Sequence, residues 1–162
     1  MSRPLVAIES PYAPRDKYSL KDNIEFAERC CSFAINNGFN PYAMHLFYPR
    51  FLIEDNPQER ALGIECGLAW TEKADMHWFC LREGEIMSDG MVIAFDKARI
   101  QKRLMFSLVF PKPGNSEVEI KNSSGNIISI DEILNYNVVS NDNRLFGTHI
   151  REAIDSLRRT RF

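Results

Sequence analysis

The chain is poor in the features that define several large protein classes. No stretch approaches the roughly 20 consecutive apolar residues of a membrane span. The apolar run inside the opening MSRPLVAIESPY is too short for a secretory signal, so a cytoplasmic protein without a membrane partner is expected. Charge of one sign is also scarce. Twenty lysines and arginines stand against 22 aspartates and glutamates, a formal balance of -2, which leaves no general basic field for a nucleic-acid backbone. The one basic concentration is the terminal LRRTRF, with Arg158, Arg159 and Arg161, read as a solvated helix end placed well for the helix dipole. Four cysteines, Cys30, Cys31, Cys66 and Cys80, lack any CxxC spacing. That argues against a zinc cluster and for reduced, packed thiols, with no metal and no cofactor expected.

What is present is a globular composition, 44% hydrophobic and 26% charged over 162 residues, enough for one sizeable core without disulfide staples. Leu5 to Ile8 form an apolar run ending in Glu9-Ser10-Pro11-Tyr12, a buried strand that opens into a loop. Ser19 with Asp22 predicts a helix start. Leu20, Ile24, Ala27, Cys31 and Ala34 then recur at helical spacing until Gly38. Phe39 to Met44 predicts a second strand with Pro41 near its beginning, followed by the aromatic loop His45 to Arg50. Asn56, Pro57 and Glu59 cap a second helix, expected to bury Leu62, Cys66 and Ala69 or Trp70. Met76 to Leu81 reads as a third strand, SDGMVIAFDKA as a turn entering a third helix that runs to about Arg103, and Leu104 to Phe110 as a fourth strand. Alternating strands and helices imply parallel pairing and a three-layer α/β sandwich of about four or five strands. Ligands of such sheets bind beyond the carboxyl ends of the strands. Beyond Pro111 the pattern changes. VEIKNSSGNIISI predicts a β-hairpin, and about His149 to Arg159 a final helix, so residues 1–110 form the main unit and 111–162 an appendage packed on the same domain.

The order SPYA (Ser10 to Ala13), Asn23-Ile24, HLFYPRFL, NPQER, Asp75 with Trp78, and SDGM resembles the nucleoside 2-deoxyribosyltransferase-like superfamily, in its uncharacterised bacterial and phage branch, over about Leu5 to Val109. The resemblance implies a flavodoxin-like fold and a nucleoside or nucleotide ligand. It also implies a homo-oligomer in which a neighbouring chain completes each pocket. In the enzymes a carboxylate at the third helix meets the positive charge that builds on the sugar as the base leaves. That glutamate's place, three residues after the Met of the Gly-Met pair, is here Ala94. The reading is therefore a binding protein that holds its ligand, sequestering a nucleotide signal of host defence if it is phage-encoded and acts in the host cytoplasm. The alternative is an enzyme acting at an N-glycosidic bond.

Three acids are the candidates for a displaced catalyst. Glu9 ends the first strand at the crevice mouth, and can equally bond loop amides. Asp75 keeps an aspartate that in the enzymes helps to orient substrate, and can equally bond nearby backbone at a strand start. Asp89, with Glu85, is placed in the loop before the third helix. Asp96 lies roughly 200° around the helix from Ala94 and should face away; Glu65 belongs to the second helix. The expected ligand-binding residues are Ser10, Pro11, Tyr12, His45, Arg50, Arg60, Ser88, Asp89, Gly90 and Met91. His45 can contact base or phosphate or be a packed residue. Arg50 and Arg60 can fork onto a phosphate or pair with Glu54, Asp55 or Glu59. Tyr12, Phe47 and Tyr48 offer stacking faces, whereas Trp78, inside a strand, is expected in the core.

Overall fold

Alternation along the first strand sets the layers of the molecule. In the computed structural model, which describes residues 3–114 and 117–135, β1 (Leu5–Glu9) turns Val6 and Ile8 to one face and Ala7 and Glu9 to the other. It lies inside a five-stranded sheet of order β2-β1-β3-β4-β5. β2 (Asn40–Tyr42), β3 (Met76–Arg82) and β4 (Met105–Phe110) continue it in parallel pairs, and β5 (Glu119–Asn122) runs antiparallel to β4. The fold is α/β, with a mostly parallel sheet between helices. Pro41 sits in β2 at the sheet edge, where its missing N–H costs no interior ladder bond.

Helix α1 (Leu20–Asn36) begins at a complete capping box, the Ser19 side chain accepting from Asp22 N–H while the Asp22 carboxylate accepts from Ser19 N–H. It ends before Gly38, whose φ of +90° is a left-handed conformation that glycine adopts without steric cost. Its buried residues are Asn23, Phe26, Ala27, Cys30 and Ala34. Leu20 is exposed and Ile24 and Cys31 are only half-buried, so the inner face is rotated from the expected stripe toward the bulkier Phe26. Against it pack Val6, Ile8, Met76, Trp78, Leu108 and Phe110. Trp78 meets Phe39 edge-on at 4.7 Å between centroids. Each such fully buried large side chain contributes about 2 kcal/mol.

On the other face lie α2 (Pro57–Thr71) and α3 (Asp89–Ile100). The caps of α2 match expectation, Asn56 Oδ1 accepting from the N–H groups of Gln58 and Glu59. Its buried stripe does not. Gly63, Gly67 and Thr71 are buried, whereas Leu62 is 49% and Trp70 61% exposed, and Ala69 is exposed with Cys66 half-buried. The stripe is small because the helix lies directly on the two turns that follow β2: a Cβ added at Gly67 would stand 2.9 Å from Met44 Cβ, and one at Gly63 would stand 3.0 Å from Leu52 Cδ1.

The segment after Pro111 also departs from expectation. Only the first arm of the hairpin becomes a strand, and it joins the main sheet as β5. The second keeps a single bridge, Lys121 to Ile127, before a helical turn over 130–135 that places Ile133 in the α1-side core. The turn between them is held by Asn122 Oδ1, which accepts from the N–H groups of Ser124 and Asn126. The predicted helix at His149 to Arg159 and the terminal arginines lie outside the described residues.

Candidate functional site

The strand order reverses between β1 and β3, the connection from β1 leading to β2 on one side and the next leading back to β3 on the other. Loops leaving the carboxyl ends of the strands part at such a point, and here they enclose a cavity of about 350 Å³. Its walls are the segment from Glu9 to Arg15, the two 3-10 turns Met44–Leu46 and Tyr48–Arg50 with Leu52 and Glu54, the inner side of α2, and the first two turns of α3.

Glu9 forms the innermost charged part of the wall. Its side chain lies on the α3 side of β1, the residue is 5% exposed, and desolvation raises its carboxyl to about 7. Among the described residues nothing donates a hydrogen bond to it or pairs with its charge. Beside it Ser10 Oγ and His45 Nε2 are 2.8 Å apart, and the His45 ring stands edge-on to Tyr12 at 6.0 Å. Burial lowers His45 to about 4, so the ring is neutral at pH 7 and offers one donor and one acceptor. The Tyr12 loop is fixed from behind by the buried Asn23, whose Nδ2 donates to the carbonyls of Tyr12 and Ala13 at 3.1 and 3.0 Å. Asn23 Oδ1 accepts in turn from Arg82, whose guanidinium lies over the rings of Tyr18 and Phe26.

The third wall begins at Ser88, which caps α3 by accepting from Met91 N–H. Asp89 is the first helical residue rather than a loop residue, and its placement in the first turn suits the helix dipole. Met91 and Ala94 are buried against Phe79 and Met105, and Ile93, although 60% exposed, also faces the cavity.

Of the residues singled out from the sequence, Glu9, Ser10, Tyr12, His45, Arg60, Ser88, Asp89, Gly90 and Met91 meet in this one cavity. Pro11 is buried but outside the lining. Arg50 is exposed and also outside it, because the turn Tyr48–Arg50 directs Tyr48 and Pro49 inward. Asp75 is the clear correction: it precedes β3, at the amino ends of the strands and away from the crevice. Its carboxylate accepts from Leu5 N–H at 2.8 Å. Glu85 is held by Arg82 at 3.1 Å, Asp96 pairs outward with Arg99, and Glu65 is exposed on α2; none lines the cavity.

Arg60 reaches the rim but is engaged by Glu54 at 3.1 Å. Arg15, which sequence reasoning passed over, is half-buried in the wall and donates to the main-chain carbonyls of Ile86 and Met87, clasping the first loop to the third. From the sequence Glu59 is only a helix cap and salt-bridge partner. It accepts from Ile53 N–H at 2.6 Å and so shapes the second loop. Their signal was weak, since an arginine in a loop and an acid at a third helical position each have commoner explanations.

All of the lining falls between Glu9 and Ala94. Residues 4–106 match the family described as Domain of unknown function (DUF7768). The chain belongs to that family. The DUF7768 region thus contains the whole cavity together with β1 to β3 and the three helices. No curated protein matches the sequence. Among solved structures, a 2-deoxyribosyltransferase from the psychrotolerant bacterium Bacillus psychrosaccharolyticus aligns with 70% of this DUF7768 chain and 76% of its own, at 14% identity and a TM-score of 0.45. Among the described residues no three His, Cys, Asp or Glu side chains converge as metal ligands would, and no helix is long and apolar enough to cross a membrane.

Proposed function

We propose that the crevice holds a nucleoside-type ligand without cleaving it. The observation that carries this reading is Ala94. It stands in the cavity wall, at the position where the sequence resemblance places the enzymes' glutamate, and presents a methyl group where a carboxylate would have to meet the developing sugar cation. The rings of Tyr12 and Tyr48 supply faces for a base, and the Ser10–His45 pair supplies polar contacts for a sugar or base edge. With Arg50 outside the lining and Arg60 engaged by Glu54, recognition falls on the nucleoside portion rather than on a phosphate. In a phage or bacterial setting, a protein that keeps such a ligand intact would sequester a nucleotide-derived signal of host defence.

The test is turnover by the purified protein. Common nucleosides and deoxynucleotides are expected to come back with their bases attached, and Ala94→Glu to gain slow base release. The gain should be small, since a nucleophile misplaced by about 1 Å loses roughly 100-fold in rate. A second reading, cleavage or transfer at the N-glycosidic bond, has one observation in its favour. Burial shifts Glu9 into the range of a general acid, and Asp89 is a second carboxyl at the mouth of the same cavity. Robust wild-type turnover lost in Glu9→Gln or Asp89→Asn would replace the binding reading with this one.

The homo-oligomer implied by the resemblance has a natural surface here. Leu62, Ile64 and Trp70 of α2 and Val92, Ile93 and Ile100 of α3 are exposed on the same side of the sheet, and a second copy would cover them. Light scattering should find an oligomer for the wild type and a monomer for Leu62→Asp combined with Trp70→Asp. A wild type that is monomeric at about 100 µM would remove this part of the proposal.

A further inference from the structure

Six charged residues border the cavity: Glu9, Glu54, Glu59, Asp89, Arg15 and Arg60. The two guanidiniums are already committed, Arg60 to Glu54 and Arg15 to two carbonyls and to Asp16 at 3.6 Å. Glu59 is satisfied by main-chain and Asn56 donors. What is left unspent is negative: Asp89 at the mouth and, behind it, Glu9, a residue only 5% exposed whose carboxyl opens onto the cavity and has no hydrogen-bond or ionic partner among the described residues. A buried carboxyl without a partner costs free energy unless something completes it. The remaining wall does not do so, being largely Met44, Leu52, Ile64, Leu68 and Met91 with the faces of Tyr12 and Tyr48. Apolar and aromatic walls around one carboxylate suit a flat cation.

We propose that the ligand carries a cationic or amidinium-like nitrogen heterocycle, and that Glu9 pairs with it as a carboxylate. The inference rests on the reading of the crevice as a ligand site, but it goes beyond that reading by fixing the charge of the ring and by excluding a phosphate as the main handle. The groups facing Glu9 are consistent with this pairing. The His45 ring is held neutral and Asp89 adds a second carboxyl, while the Cys80 thiol, on the opposite face of the sheet, is kept protonated by burial and its neighbours, Glu9 among them. In the rim Arg60 pairs with Glu54, Arg15 is held by two carbonyls and Asp16, and Glu59 is satisfied by Ile53 N–H and Asn56. Because the empty site favours the protonated carboxyl up to about pH 7, binding of a cation must expel that proton. Affinity for the cation should therefore fall about tenfold for each pH unit below 7 and level off above it.

The experiment is calorimetry at pH 7.5 with two matched pairs, 3-methylcytidine against cytidine and 1-methyladenosine against adenosine, the methylated members being cations at neutral pH. Cytidine 5′-monophosphate and benzamidine complete the set. The cation of at least one pair is expected to bind tenfold or more tighter than its neutral partner, and the monophosphate more weakly than cytidine. Glu9→Gln should abolish the cation's advantage over its neutral partner, read as the ratio of the two affinities within each pair. In the unmodified protein at pH 6, titration in two buffers of different ionisation heat should show release of most of one proton per cation bound, a readout that does not depend on any variant folding.

Equal binding within both pairs, a tighter monophosphate, retention of the preference in Glu9→Gln, or no proton release would each overturn the proposal. Binding of benzamidine alone, lost in Glu9→Gln, would uphold the cation site while removing the nucleoside reading. Neutral nucleosides binding as well as their cations would do the reverse. Failure of every probe to bind would overturn both.

Discussion

Replacing Gly67 by valine is expected to cost about 3 kcal/mol of stability, at the upper end of what overpacking a filled site usually costs. Even a bare Cβ at this position would stand 2.9 Å from Met44 Cβ and 3.0 Å from Met44 Cγ. The first of these atoms is the stem of the side chain, so a rotamer change of Met44 does not clear the overlap. Either α2 lifts away or the turn Met44–Leu46 moves, and that turn carries His45 into hydrogen-bonding distance of Ser10. A shifted urea midpoint at constant m-value would report the stability loss, and calorimetry should show ligand affinity falling with it. Gly63→Ala is the milder companion, because its Cβ meets the flexible end of Leu52 at 3.0 Å and Tyr48 Cβ at an ordinary 3.6 Å. A valine at position 67 tolerated within about 0.5 kcal/mol would mean that α2 does not rest on this turn.

Replacing His77 by leucine is expected to act in the opposite direction. This residue of β3 is 6% exposed, and neither ring nitrogen finds a partner among the described residues. Arg103 nearby has its Nε likewise unpartnered while donating to the Ala74 carbonyl. An apolar side chain of similar size removes the desolvation cost of the ring, worth about 1–3 kcal/mol, and the gain should grow in acid. Desolvation, helped by the Arg103 charge, lowers the His77 pKa in the folded protein to about 4, against an ordinary value of 6.5. Between those two values the unfolded chain binds the extra proton, so His77 costs the wild type stability as pH falls from 6.5 to 4, by about 3 kcal/mol in all.

Among the described residues, two other buried groups are shifted across nearly the same window. His45, also lowered to about 4, acts in the same direction as His77. Glu9 acts against both: its folded value of about 7 lies above the ordinary 4.5, so its contribution is full below 4.5 and is lost as pH rises through 7. With those two opposed, the net acid sensitivity of the wild type is close to that of His77 alone. Thermal melts from pH 7 to 4 should therefore show a falling midpoint for the wild type and a nearly level one for His77→Leu. Parallel curves would mean that the ring is satisfied in solution.

Local decisions were readable in the chain because they are settled within one turn. Ser19 with Asp22, and Asn56 with Pro57 and Glu59, each cap a helix through donors two or three residues away; Ser88 caps the third helix in the same way, although the sequence places Asp89 in the loop before it. The alternation of apolar runs with these helices was enough for a parallel α/β sheet, and the rule that ligands sit at strand ends drew Ser10, Tyr12, His45 and the SDGM turn toward one crevice. What sequence alone did not settle was anything that depends on the identity of a distant neighbour. Small residues carry no hydrophobic signal, so Gly63 and Gly67 were invisible as a contact stripe, and Leu62 and Trp70 were assigned to a core that does not reach them. Asp75 precedes its strand and so lies at the end of the sheet opposite the cavity, where the β1 amide takes its carboxylate. Arg60 and Arg15 have the chemistry of phosphate ligands, yet in the fold Arg60 is engaged by Glu54 and Arg15 by the carbonyls of Ile86 and Met87. Glu9 is the converse case. The sequence placed it at the crevice mouth with loop amides as possible partners, and only the packing of three loops around it buried the carboxyl without supplying one.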